Sequence, residues 1–200
     1  MVMVRESNKW EKITALSSLA LAVLALIALV FSYRQIVEFH HEAQVQHLSE
    51  AVHDFDYGPV SKSLNALARK RVNQSKEALN VFDEDNAPSE MYDVADFFDY
   101  VGLLTKRGYL DKTDIWDTFG YYLFNFYADA RPMIDAEQKK DRDMFANLTW
   151  LIDAIRQIED DPKHQGAEDH PTPNDVYGFY SGYIDSAAGV PPAHGPQHKN

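Results

Sequence analysis

Residues 13–33 read ITALSSLALAVLALIALVFSY, twenty-one positions without a charge. A helix rises about 1.5 Å per residue, so such a run covers the roughly 30 Å hydrocarbon core of a bilayer. Backbone groups in hydrocarbon must satisfy one another, which restricts the segment to a helix. Trp10 precedes the run and Phe31 and Tyr33 close it, where interfacial aromatics sit. Lys9, Lys12 and Arg34 flank it. A cleaved signal peptide has a shorter apolar region, about 7–15 residues, and small residues at its cleavage site. This run ends instead in Val30, Phe31 and Tyr33. It reads as an uncleaved single-pass anchor carried by Ile13, Leu16, Leu19, Val23, Leu26, Val30 and Tyr33.

The side occupied by the remaining chain is contested by two signals. Arg5, Lys9 and Lys12 lie before the anchor and Arg34 alone lies close behind it, which favours an outside bulk domain. Residues 60–82, however, carry Lys62, Arg69, Lys70, Arg71 and Lys76 against one acidic residue, as in segments held near anionic lipid. Within the anchor, Ala15, Ser18, Ala22 and Ala25 form a small-residue stripe. Leu16, Leu19, Val23, Leu26, Val30, Tyr33 and Val37 repeat with heptad spacing. Such patterns allow helices to approach closely, so homo-oligomerisation through this helix is one expectation and a lipid-facing monomer the other.

Beyond the membrane the sequence predicts only helices. Residues 34–55 lack Gly and Pro, with a narrow stripe at Val45, Leu48, Val52 and Phe55. Gly58-Pro59 breaks the chain. A second helix over 60–82 presents Val60, Leu64, Leu67, Ala78 and Phe82, with Lys62, Arg69 and Lys76 on another face. After a loop at 83–88, Ser89 is positioned to cap a third helix burying Val94, Phe97, Phe98, Val101 and Leu104. Lys106-Arg107-Gly108 suits its end, with cations at the negative pole and glycine for the left-handed turn. Asp111 caps a fourth helix with Ile115, Phe119, Tyr122, Leu123 and Phe126 inward, and Pro132 is expected to break or kink it. A fifth runs over 142–159 with Phe145, Leu148, Leu151, Ile152, Ile155 and Ile158 inward.

The organisation that follows is an N-terminal segment at 1–12, an anchor at 13–33 and a juxtamembrane helix and turn at 34–59. A helical bundle at 60–160 comes next, then a mobile, irregular Pro/Gly/His-rich tail at 161–200. The fold class is all-α. The tail is too poor in apolar residues to offset its chain entropy, apart from one aromatic stretch, Tyr177 to Tyr183. That stretch docks on the bundle or on a partner, and docking on the bundle is favoured.

The block Phe97-Phe98-Asp99-Tyr100-Val101-Gly102-Leu103-Leu104, followed by Gly108 and Asp111 and later by Arg131-Pro132, is the most distinctive in the chain. It resembles the FFE-x-x-G-x-L-x-x-x-G-like pattern of a bacterial membrane-anchored family catalogued as domain of unknown function 4760. Asp99 stands where that pattern has Glu. The resemblance covers roughly residues 51–159. It implies an N-terminal hydrophobic helix and a small helical domain, and no reaction, cofactor or catalytic residue. Physically, Gly102 inside a helix points to close backbone packing, since glycine there costs about 1 kcal/mol relative to alanine. Arg131 is placed to pair with Asp99 or Asp96.

Chemistry-bearing candidates are few. The chain has no cysteine, which removes disulfides, thiolate metal sites and Cys nucleophiles. No phosphate loop, dinucleotide fingerprint, nucleophile elbow or zinc-protease motif occurs. Glu38/His41 and Glu50/His53 have the E-x-x-H spacing of di-iron bundles, but they share one helix about 18 Å apart and cannot join in one metal site. No metal, cofactor or catalytic residue is assigned. His40, His41, His47 and His53 lie among carboxylates, and histidine is the side-chain type suited to a charge switch, so a pH response through this helix is the alternative function. The net charge of −12 argues against nucleic acid as a partner. Residues 83–200 carry 10 basic against 23 acidic residues, so the acidity is distal. The first reading is a non-enzymatic protein of a bacterial inner membrane, binding the bilayer and another protein or supporting an assembly.

Overall fold

The computed structural model describes residues 4–74, 82–83, 85–159 and 170–187. Among them it is all-helical and strand-free: α1 (Val4–Tyr57), α2 (Pro59–Val72), α3 (Ser89–Lys106), α4 (Lys112–Lys140), α5 (Ala146–Glu159) and α6 (Pro173–Ala187). The chain separates into two compact units, Met1–Ala43 and Gln44–Asn200.

In the first unit the apolar run is one helix, and Ile13, Leu16, Leu19, Val23, Leu26, Val30 and Tyr33 are all exposed. Two of its hydroxyls are satisfied internally. Thr14 Oγ1 donates to Trp10 O at 2.9 Å and Ser17 Oγ to Ile13 O at 2.8 Å. This is what a lipid environment demands of a hydroxyl.

The second unit begins at Gln44, inside the segment assigned by sequence to a separate juxtamembrane helix. Ala51 and Phe55 belong to its core, with Leu48 and Val52 packed against them. Phe55 stacks edge-on with Phe119 and Tyr122 at 5.3 and 4.9 Å. Val45 lies outside this stripe and is exposed. A single residue, Gly58, separates α1 from α2, and Pro59 opens α2 where its missing N–H costs nothing. The second helix is shorter than predicted: Asn73 caps it, and Phe82 is buried outside any helix. Lys76 and Ala78 lie outside the described residues.

Along α4, Leu123 to Tyr127 are buried in succession, so this helix runs through the centre. Asp111 caps it as expected, accepting from Thr113 N at 2.7 Å. Pro132 does not end it. The helix continues to Lys140, because Met133 and Ile134 are fully buried directly after the proline and hold that turn in place. Ser89 is the first residue of α3 and makes no cap; Pro88 precedes it as the flanking residue. At the far end Gly108 adopts φ 79°, with Gly108 N bonded to Thr105 O and Tyr109 N to Leu104 O. This is the double bond of a Schellman stop.

Two elements correct the sequence reading. The fifth helix starts at Ala146, not Arg142, because Asp141 diverts the backbone: its Oδ1 accepts from Asp143 N at 3.0 Å. Phe145 then takes φ 54°, a left-handed conformation that interrupts any helix. Residues 161–200 are not simply a tail, since α6 lies within them and buries Val176, Phe179 and Tyr180 against α2 and α4. Residues 160–169 and 188–200 lie outside the described residues.

Candidate functional site

The motif block resolves into a joint between α3 and α5. Phe145 occupies the position before α5 where Ser, Thr or Asp normally caps the first N–H groups, and it has no acceptor to offer. Asp99, from the middle of α3, supplies one. Its Oδ1 accepts from Asn147 N and Leu148 N, each at 2.9 Å, and its Oδ2 accepts from Asn147 Nδ2 at 3.0 Å. A carboxylate at a helix N-terminus also meets the positive end of the dipole. Gly102, one turn along, brings the two backbones together: a Cβ there would sit 2.4 Å from Asn147 O. Phe97 and Phe98 lie beneath this joint, 5.2 Å apart edge-on, while Leu104 is half-buried. Asp99 therefore pairs with a helix end and not with Arg131, which reaches Asp135 at 3.6 Å on the surface. The partly shielded Asp96 carboxyl is raised by burial and then by the charges of Asp99 and Asp93.

A second polar group, absent from the sequence reading, lies at the junction of α2, α4 and α6. Arg71 and Asp129 are both fully buried, with Arg71 Nε 3.3 Å from Asp129 Oδ1. The Tyr180 hydroxyl, also fully buried, stands beside the same carboxylate. Asp129 Oδ2 and Tyr180 Oη interact without completing a well-aligned hydrogen bond. Burial raises the Asp129 carboxyl, outweighing the attraction of Arg71 and the Tyr180 hydroxyl. It also pushes the Tyr180 phenol well above its usual value, with Asp129 adding to it. A signal for this group exists in the sequence. Arg71 continues the Leu64–Leu67 register, Asp129 continues Tyr122–Phe126, and Tyr180 follows Val176. Each is a polar residue at an apolar position. With all three closed to solvent, the group joins helices and offers no face to a substrate.

The histidines do not converge. His40, His41 and His53 are exposed and His47 is half-buried. His47 Nδ1 lies 3.5 Å from Glu50 Oε2, and its ring meets Tyr109 edge-on at 5.7 Å. Among the described residues no three His, Asp or Glu side chains are grouped to hold a metal ion. The basic helix α2 engages the bundle through two of its cations: Arg71 is buried, and Lys70 Nζ donates to Glu90 Oε2 at 2.6 Å, holding the Glu90 carboxyl below its usual range, while Lys62 and Arg69 are exposed.

A family model described as domain of unknown function (DUF4760) matches residues 13–155. The chain belongs to this family. The DUF4760 match spans the apolar run, the motif block and most of α5, starting further toward the N-terminus than the motif resemblance did. The α6 helix, which contributes Tyr180, lies beyond it. No curated protein and no solved structure gives a significant match.

Proposed function

We propose that this DUF4760 protein is a single-pass membrane protein whose helical bundle contacts another protein or supports an assembly, without catalysing a reaction. The observation that carries this reading is the helix within Lys12–Tyr57. Its apolar window is long enough to cross a bilayer, and none of that window is buried. A core helix of a soluble domain would be covered. The bundle adds support of another kind. Its strongest polar group is sealed, while Tyr57, Tyr100 and Tyr121 are exposed aromatic surface of the sort that binds proteins. The placement is an inner membrane with the bundle outside, following the basic-residue count.

Photo-crosslinking residues at Tyr57, Tyr100 and Tyr121 in intact cells test the reading. Discrete heavier adducts are expected, and an adduct of twice the chain mass would report self-association through the anchor. Absence of any adduct, or substrate turnover by the purified full chain, would sink it. Topology is checked separately, since the chain has no native thiol. Single cysteines at Ser7 and Lys62 are exposed to an impermeant reagent, and labelling at position 62 alone supports an outside bundle. A second reading, pH sensing, rests on the contacts of His47 with Glu50 and Tyr109. It requires that replacing His40, His41, His47 and His53 with Gln abolish any pH-dependent change in helix association.

A further inference from the structure

The second unit has one end that its own contacts define. Gln44, its first residue, donates from Nε2 to Gly108 O at 3.0 Å, and His47 packs on Tyr109. The α3–α4 corner is thus fastened to the place where the chain arrives from the anchor. Gln44 stands eleven positions after Tyr33. That is about 16 Å of helix, and no more than about 40 Å fully extended, so this end is tethered close to the bilayer surface.

The chemistry of the corner suits that location. Lys106, Arg107 and Lys112 are exposed, and none has an ion-pair partner among the described residues. Elsewhere in the bundle Lys70, Arg71, Arg131, Lys140 and Arg156 each face a carboxylate. Lys62, Arg69, Lys139 and Arg142 are also exposed without an ion pair among the described residues, so the corner differs from them in its place beside Gln44 and in its shared indole. The nearby Asp111 is occupied as the α4 cap. Lys106 and Lys112 both stand against the Trp150 indole, at 5.8 and 5.3 Å from the ring centroid. Two like charges on one aromatic ring repel each other, and an external anion would relieve that. Tyr109, exposed beside them, adds an amphipathic ring of the kind found at headgroup depth.

We infer that the α3–α4 corner is a docking surface for anionic phospholipid headgroups. Lys106, Arg107 and Lys112 take the phosphates, and Tyr109 and Trp150 lie at the interface. In a chain whose distal part is strongly acidic, this corner selects which end of the bundle faces the membrane. The inference rests on the membrane-anchor reading. Each basic residue at such a surface contributes about fivefold, so losing all three lowers the docked-to-undocked ratio roughly a hundredfold.

The test uses the full chain in vesicles of phosphatidylcholine with or without phosphatidylglycerol. A fluorophore is placed on a single cysteine at Tyr109→Cys, or at Ser89→Cys at the opposite end of α3, a helix about 27 Å long. A headgroup-labelled quencher lipid reports proximity. Strong quenching is expected at position 109 in anionic vesicles and little at 89. It should be lost in neutral vesicles and in K106Q/R107Q/K112Q. Equal quenching at both positions overturns the inference, as does quenching at 109 indifferent to lipid charge. The lipid comparison needs no charge variant, so misfolding of the triple variant cannot rescue the idea. Flotation of the vesicles separates the two readings. A chain that floats without the contrast defeats only the headgroup inference, and a chain that does not float defeats the anchor as well.

Discussion

Two joints hold the bundle together, and they solve the same problem differently. Between α3 and α5 the buried polar groups are matched. Asp99 satisfies the open N–H groups of α5, and Gly102 lets the backbones close around that bond. Between α2, α4 and α6 an ion pair is sealed from water, with Asp129 Oδ2 and Tyr180 Oη left without well-formed hydrogen bonds. A matched carboxylate at a helix end stabilises its joint directly. A desolvated ion pair regains through attraction only part of what burial costs, so its role is to select one arrangement of helices over others. The bundle draws stability from the first joint and register from the second.

The largest effect should come from removing half of the sealed pair. Asp129→Leu leaves the Arg71 charge buried with no means of neutralising itself, a loss of about 3–5 kcal/mol. Arg71→Met should cost less, because the raised Asp129 carboxyl can take up a proton. The double variant R71M/D129L should recover to near or above the parent stability. Thermal unfolding of the full chain in detergent, followed by circular dichroism, checks all three. A double variant as unstable as Asp129→Leu alone would show that the pair contributes net stability and that the comparison is misdrawn.

Next comes the matched joint. Gly102→Ala drives a Cβ to 2.4 Å from Asn147 O, and backbone cannot swing aside, so α3 and α5 must separate at a cost of about 1–3 kcal/mol. Asp99→Ala removes the α5 cap and should cost about 1–2 kcal/mol, with Asp99→Asn milder because one acceptor survives. Because both residues act on one contact, the Gly102→Ala/Asp99→Ala pair should lose less than the two single losses together. Strict additivity in the same unfolding assay would mean that the glycine and the carboxylate do not serve one joint.

What the sequence makes legible here is whatever depends on near neighbours. The apolar run, the stripes of α3 and α4, the Gly108 stop and the Asp111 cap each follow from residues within a few positions of one another. The partners of Asp99 lie 48 and 49 positions away and are backbone N–H groups, which no side-chain pattern reveals. The α6 helix is obscured by Gly178, Gly182 and the prolines around its start, yet its start signal is local. Thr172 and Asp175 form a reciprocal cap, with Thr172 N donating to Asp175 Oδ2 at 2.7 Å and Asp175 N to Thr172 Oγ1 at 3.4 Å. Arg71 was hidden differently. Counted as one charge in a basic helix, it is the single residue of that set on the buried face among those described.

The smallest predicted effect probes the sealed joint without breaking it. Tyr180→Phe deletes a buried hydroxyl that has no well-formed hydrogen bond, so stability near neutral pH should change by less than about 1 kcal/mol. Its effect should appear in titration. The hydroxyl favours the ionised form of Asp129, so its loss should move that carboxyl further above the ordinary aspartate value of 3.8. With the native carboxyl holding its proton to higher pH than the unfolded chain does, the Asp129 contribution to stability is complete below 3.8. It declines as pH rises through the raised native value. In Tyr180→Phe that decline should extend to higher pH. Carbon-detected magnetic resonance of the Asp129 carboxyl in both chains reads the shift directly. A variant carboxyl that titrates at or below the parent's would mean that the phenol does not stabilise the carboxylate, leaving Arg71 as its one counterweight to burial.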